Sequence, residues 1–198
     1  MISKQRIEKI KSNVDPTMGR MASEILQEYP MALTHSSKIR KAAAIHDYTE
    51  KGFESDFPET WDVPSVPDSL HNLSGKCVEL SLIRASIMKG LDGVKTRALL
   101  LRSPSRDADH MILELGVADS SEDIYTNLGR FYKESDSIYD DLIHNIVSRI
   151  DRSTNIRWMP SDPEGAALGT NNQLWGLSYV DRTSDDWDYH NILAQFEL

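Results

Sequence analysis

Residues 77–89 constrain this chain most. Val78, Leu80, Leu82, Ile83, Ala85, Ile87 and Met88 crowd so closely that a helix there is apolar on nearly all sides. Such a helix must be enclosed by other elements, so it belongs at the centre of its domain. Gly90 and Gly93 end it, and residues 94–101 then read as a β-rich strand. A chain of 198 residues can build one domain with a sizeable core around this helix and still carry an insertion.

The flanking segments supply the enclosure. Residues 2–12 place Ile2, Ile7 and Ile10 among charges, which suits a short amphipathic helix. Asp15-Pro16 is an N-cap followed by a first-turn proline, and Met18, Met21, Ala22, Ile25 and Leu26 continue at helical spacing toward Tyr29 and Pro30. Ser36 or Ser37 caps a third helix that runs to about Lys51 and ends at Gly52. Residues 53–74, with Pro58, Pro64 and Pro67, form an extended loop that carries Trp61. Residues 103–107 are a turn, and 108–117 a second strand, antiparallel to the first.

Residues 119–155 then interrupt the sheet. Ser121 caps a helix through Ile124, Leu128 and Phe131, and Asp136 or Ser137 starts another through Ile138, Leu142, Ile143, Ile146, Val147 and Ile150. A short strand at 156–159, stopped by Pro160, returns the chain to the sheet. Residues 174–180 read as a strand, and the tail from 187 to 198 as either a final strand or a helical turn. The expected organisation is one α+β domain over 1–198. N-terminal helices occupy 1–52, a core 75–118 and 156–198, and a helical insertion 119–155.

A formal net charge of -9 argues against a general nucleic-acid or anionic-membrane binder, because phosphate binding needs clustered Lys and Arg. A single cysteine makes no internal disulfide, which suits a reducing compartment. The N-terminal residues lack the apolar run of a signal peptide. No stretch reaches the ~20 apolar residues of a membrane helix. Cytoplasmic localisation is the expectation, with no nucleic-acid or membrane partner and the oligomeric state open. His35, His46, His71, His144 and His190 fall in no metal-binding spacing, and Gly75-Lys76 lacks the upstream glycine of a phosphate loop. Neither a metal nor a cofactor is expected.

The chemistry-bearing residues gather around the start of the central helix. A protonated thiol is a poor nucleophile, with a free pKa of about 8.5. A helix N-terminus and a neighbouring imidazolium both favour the thiolate. Cys77 opens the apolar helix two residues after Gly75, which permits close approach of a backbone or substrate. His110 lies on the second strand, sharing a face with Ile112 and Glu114. Asp162, beyond the short strand, can accept from the far ring nitrogen of His110 and fix its tautomer. Cys77 would attack a carbonyl, His110 carry the proton and Asp162 orient His110. The backbone N–H of Cys77, the Asn72 amide or the Trp61 indole would supply the oxyanion donor.

Gly75-Lys76-Cys77, the LDGVKTRALLL turn and strand, His110-Met111-Ile112-Leu113-Glu114 and Trp158-Met159-Pro160-Ser161-Asp162 follow one another in the order found in the transglutaminase-like superfamily. The chain resembles that family over about residues 40–198. The resemblance implies a papain-like cysteine-proteinase fold, with the nucleophile helix packed on an antiparallel sheet and Cys77, His110 and Asp162 as triad. WGLSYV is similar to the strand after the triad aspartate in peptide:N-glycanases. Ile112 replaces an aromatic often found there, and the paired CxxC zinc motifs of the eukaryotic glycanases are absent. The expected activity is hydrolysis of peptide or isopeptide bonds through a thioester, on a protein or peptide substrate. Amine transfer is the variant outcome. The alternatives are an inactive interaction module and a glycopeptide amidase.

Overall fold

A computed structural model describes residues 3–54, 75–102, 109–135, 146–162, 168–169 and 192–198. The helices are α1 (Lys4–Lys11), α2 (Met21–Gln27), α3 (Pro30–Leu33), α4 (Lys38–Glu54), α5 (Gly75–Met88) and α6 (Ser121–Glu134). The strands are β1 (Lys95–Arg102), β2 (Asp109–Val117), β3 (Arg149–Asp151), β4 (Ile156–Ser161) and β5 (Ile192–Glu197). They form one antiparallel sheet in the order β3-β4-β2-β1-β5. The architecture is therefore mixed helix and antiparallel sheet.

The apolar helix takes the central place that its composition demands. Its side chains from Cys77 to Met88 are buried except for the half-buried Glu79. One flank, with Val78 and Leu82, packs on Ala98, Leu100 and Met111 of the sheet and on Ile10 and Phe196. Ile83, Ala85, Ile87 and Met88 join a second cluster with α2, α4 and α6. The opposite sheet face carries Leu99, Leu101 and Ile112, against which Val147 and Ile192 pack. On that face Glu114 pairs with Arg97 and Arg149, and the Arg97 guanidinium lies 3.9 Å from the Trp158 ring centroid.

Local signals explain most helix starts. Ser3 caps α1 by accepting from the Arg6 N–H. Asp15 caps a 3-10 turn over Pro16–Arg20 that leads into α2. The Ser120 hydroxyl accepts from the Asp123 N–H at the start of α6. Gly19 and Gly90 bring the 3-10 turn against the end of α5. A Cβ on Gly90 would lie 1.9 Å from the Gly19 carbonyl oxygen.

Several expectations are corrected. α4 runs past Gly52 to Glu54, because one glycine in a helix interior costs only about 1 kcal/mol relative to alanine. The preceding helix does end before Pro30, at Gln27, but Pro30 then opens a further short helix, α3, that was not expected. The second helix expected in the 119–155 insertion does not include Ile146, Val147 or Ile150, and its residues 136–145 lie outside the described residues. Ile146 makes a β-bridge, and Arg149–Asp151 is a strand paired with β4 across a turn where Asn155 has φ 54°. β4 also continues through Pro160 to Ser161. The Pro160 carbonyl accepts from Gly169 N–H at 2.8 Å, so that residue's backbone polar groups point away from β2. Its missing N–H therefore costs the β2–β4 pairing nothing. The tail, left open between strand and helical turn, is a strand paired with β1. The turn at 103–107, the strand at 174–180 and most of the loop at 53–74 lie outside the described residues.

Candidate active site

Cys77 is the third residue of α5, so its backbone N–H belongs to the first turn and has no carbonyl four residues before it within the helix. Its thiol is fully buried. His110 is the second residue of β2, opposite Leu101 of β1. Asp162 follows the last residue of β4, and Ser161 pairs with Leu113. That antiparallel register returns Asp162 to the end of β2 where His110 stands. The three residues therefore meet at the ends of their elements.

The imidazole is the hub. His110 Nε2 lies 3.2 Å from Asp162 Oδ1, and both side chains are almost wholly buried. Burial acts most strongly on His110 and pulls its pKa down. Hydrogen bonds to Asp162 and to the Cys77 thiol, together with the charges of those groups, outweigh burial and leave the imidazole pushed up to about 10. The site thus favours an imidazolium held between a carboxylate and a sulfur.

A second polar group adjoins it. Arg84, in the middle of α5, is fully buried and ion-pairs with Glu50 of α4. It also donates to Thr49 Oγ1 at 2.8 Å and to the Asp162 carbonyl oxygen at 3.1 Å. His46 Nδ1 shares a hydrogen bond of 2.8 Å with Ser161 Oγ. Sequence reasoning missed Arg84, Glu50 and His46. The signal was present in Arg84, a lone arginine inside an otherwise apolar helix, which demands a buried partner.

Gly75 opens α5, and Asn72 and Trp61 lie outside the described residues. Among the described residues, no three His, Cys, Asp or Glu side chains are grouped to hold a metal ion. No helix among them is long and apolar enough to cross a membrane. Compared with known protein families, curated proteins and solved structures, the chain matches none.

Proposed function

We propose that Cys77, His110 and Asp162 form a thiol site that cleaves amide bonds through an acyl-enzyme. The observation that carries this reading is the His110–Asp162 hydrogen bond of 3.2 Å between two buried side chains, beside a buried Cys77 thiol that also favours the imidazolium. The order of the Gly75-x-Cys77, His110 and Trp158-x-x-x-Asp162 motifs supports the same assignment through its resemblance to the transglutaminase-like superfamily.

The chemistry follows from the roles. The Cys77 proton resides on His110, and the sulfur attacks the amide carbonyl carbon. The Cys77 backbone N–H, in the first turn of α5, is the candidate donor to the oxyanion that forms. The C–N bond breaks as His110 gives its proton to the leaving amine, and a thioester remains. Water then adds to the thioester while His110 takes a proton from it. The C–S bond breaks, the acid departs, and the thiolate stands again beside His110, which keeps the proton it took from water. An amine in place of water gives transfer. Asp162 keeps His110 in one tautomer throughout. The substrate class is a peptide or isopeptide bond.

The rival reading is an interaction module that keeps the fold without turnover, and the full burial of Cys77 favours it. Iodoacetamide alkylation separates the two, since Cys77 is the only cysteine. A free thiol is about 0.3% ionised at pH 6. The thiol site predicts alkylation at pH 6 at least ten times faster than a free thiol, with the excess lost in His110→Ala. A free-thiol rate that His110→Ala leaves unchanged refutes it.

A further inference from the structure

Cys77, Ser81 and Arg84 follow at spacings of four and three along α5, so they form one polar stripe on a largely apolar helix. Each reaches a different part of the proposed site. The buried Cys77 thiol is one of the groups that favour the protonated form of His110. Ser81 Oγ lies 3.4 Å from the carbonyl oxygen of Met111, the residue after His110. Arg84 Nη1 lies 3.1 Å from the Asp162 carbonyl oxygen and 3.5 Å from Ser161 Oγ.

The other side of the Arg84 guanidinium is held by α4. Nε donates to Thr49 Oγ1 at 2.8 Å, and Nη2 meets the Glu50 carboxylate and, at 3.5 Å, the His46 carbonyl oxygen. Thr49 Oγ1 in turn bonds to the carbonyl of Ile45 at 2.8 Å, so the acceptor is itself fixed. The ionisable groups around Arg84 are Glu50 from α4, Asp162 after β4 and Tyr132 from α6. Taking an arginine and a glutamate out of water is unfavourable, and an apolar pair would join α4 to α5 at least as well. Only a planar fork with several donors can tie α4 to both Ser161 and Asp162.

We infer that Arg84 is a positioning residue: it fixes the Asp162 backbone so that the carboxylate meets His110, at a separation from Cys77 set by one rigid helix. The inference rests on the proposed role of Cys77, His110 and Asp162. Cys77 and Arg84 are seven residues apart, about two helical turns or roughly 10 Å along the axis. The nucleophile and the clamp on Asp162 thus move together.

Two variants of the full chain test this, each checked for cooperative melting by circular dichroism. Arg84→Lys keeps the charge beside Glu50 but loses the fork. Arg84→Met combined with Glu50→Met removes the buried pair together and leaves no unpaired charge. Two readouts are taken: the pH profile of Cys77 alkylation by iodoacetamide, and the low-field proton resonance of the His110–Asp162 hydrogen bond. In a folded variant, that resonance is expected to broaden or vanish. Alkylation at pH 6 should slow about tenfold, a shift of one pH unit in the acid limb, with the alkaline plateau unchanged. A folded variant that matches the wild type in both readouts overturns the inference. A wild type that reacts as a free thiol, with the resonance lost in the variants, overturns the thiol reading and leaves the positioning role standing.

Discussion

His110 decides the chemistry at the scale of single residues. Its folded pKa, about 10, stands above the unfolded value of 6.5, so the folded chain binds more of this proton between those limits. The sign follows from linkage: stability falls as pH rises wherever the folded state holds more protons than the unfolded. The His110 contribution is complete below pH 6.5 and is lost as pH rises through about 10. Urea unfolding of the wild type and His110→Gln should therefore differ by a few kcal/mol near pH 6 and by much less near pH 10. An equal difference at both values removes the ion pair. Asp162→Asn keeps the shape and removes the charge that supports the imidazolium. It should slow Cys77 alkylation at pH 6 by about tenfold or more, since each unit of His110 pKa is a factor of ten.

Among the elements, α5 organises the rest. Its start carries Cys77, its middle carries Arg84, and its end meets the 3-10 turn at Gly19 and Gly90. A Cβ on Gly90 would strike backbone, the Gly19 carbonyl oxygen at 1.9 Å and carbon at 2.7 Å. A Cβ on Gly19 would come no closer than 2.9 Å to Gly90 N. Backbone cannot swing aside as a side chain can, so Gly90→Ala should destabilise the fold by about 1–3 kcal/mol. Gly19→Ala should cost less, and equilibrium urea unfolding of the two gives the ranking. A neutral Gly90→Ala would show that the 3-10 turn is not held against α5.

β5 closes the whole molecule. It pairs with β1 from Arg97 to Leu101, and Phe196 joins the cluster that holds Cys77. Ending the chain at residue 191 would leave β1 as an open sheet edge and uncover the apolar cluster beneath it. An unprotected edge rich in leucine templates pairing with other chains. The shortened protein should melt less cooperatively and show higher-order species in light scattering. A monomeric, fully stable product would show that β5 is dispensable.

The outlines legible in the sequence were those set by local chemistry. A largely apolar run at 77–89 specifies the buried helix α5, and Asp15-Pro16 a helix start, whereas the expected cap Ser121 gives way to its neighbour Ser120. The β1–β2 pair followed from two adjacent β-rich runs. The alternation that grouped His110 with Ile112 and Glu114 did not settle its partners. Ile112 packs on the sheet face opposite α5, and His110 meets Cys77 at the ends of their elements. The spacing of Ile146, Val147 and Ile150 suits a helix as well as extended chain, and only tertiary contacts choose: Ile150 pairs with Arg157 of β4, and Val147 N–H donates to the Gly169 carbonyl. The same holds for the tail, which β1 makes a strand.

The amino-acid order by itself determined the residue types of the proposed site and the central helix that carries one of them, because both depend on neighbours in the chain. The motif order led one to expect Asp162 beside His110, but the tertiary structure alone brought the two together and decided that Arg84 spans α4 and Asp162. Those contacts join residues far apart in sequence, and a buried charge reveals its partner only when the helices and the sheet have packed around it.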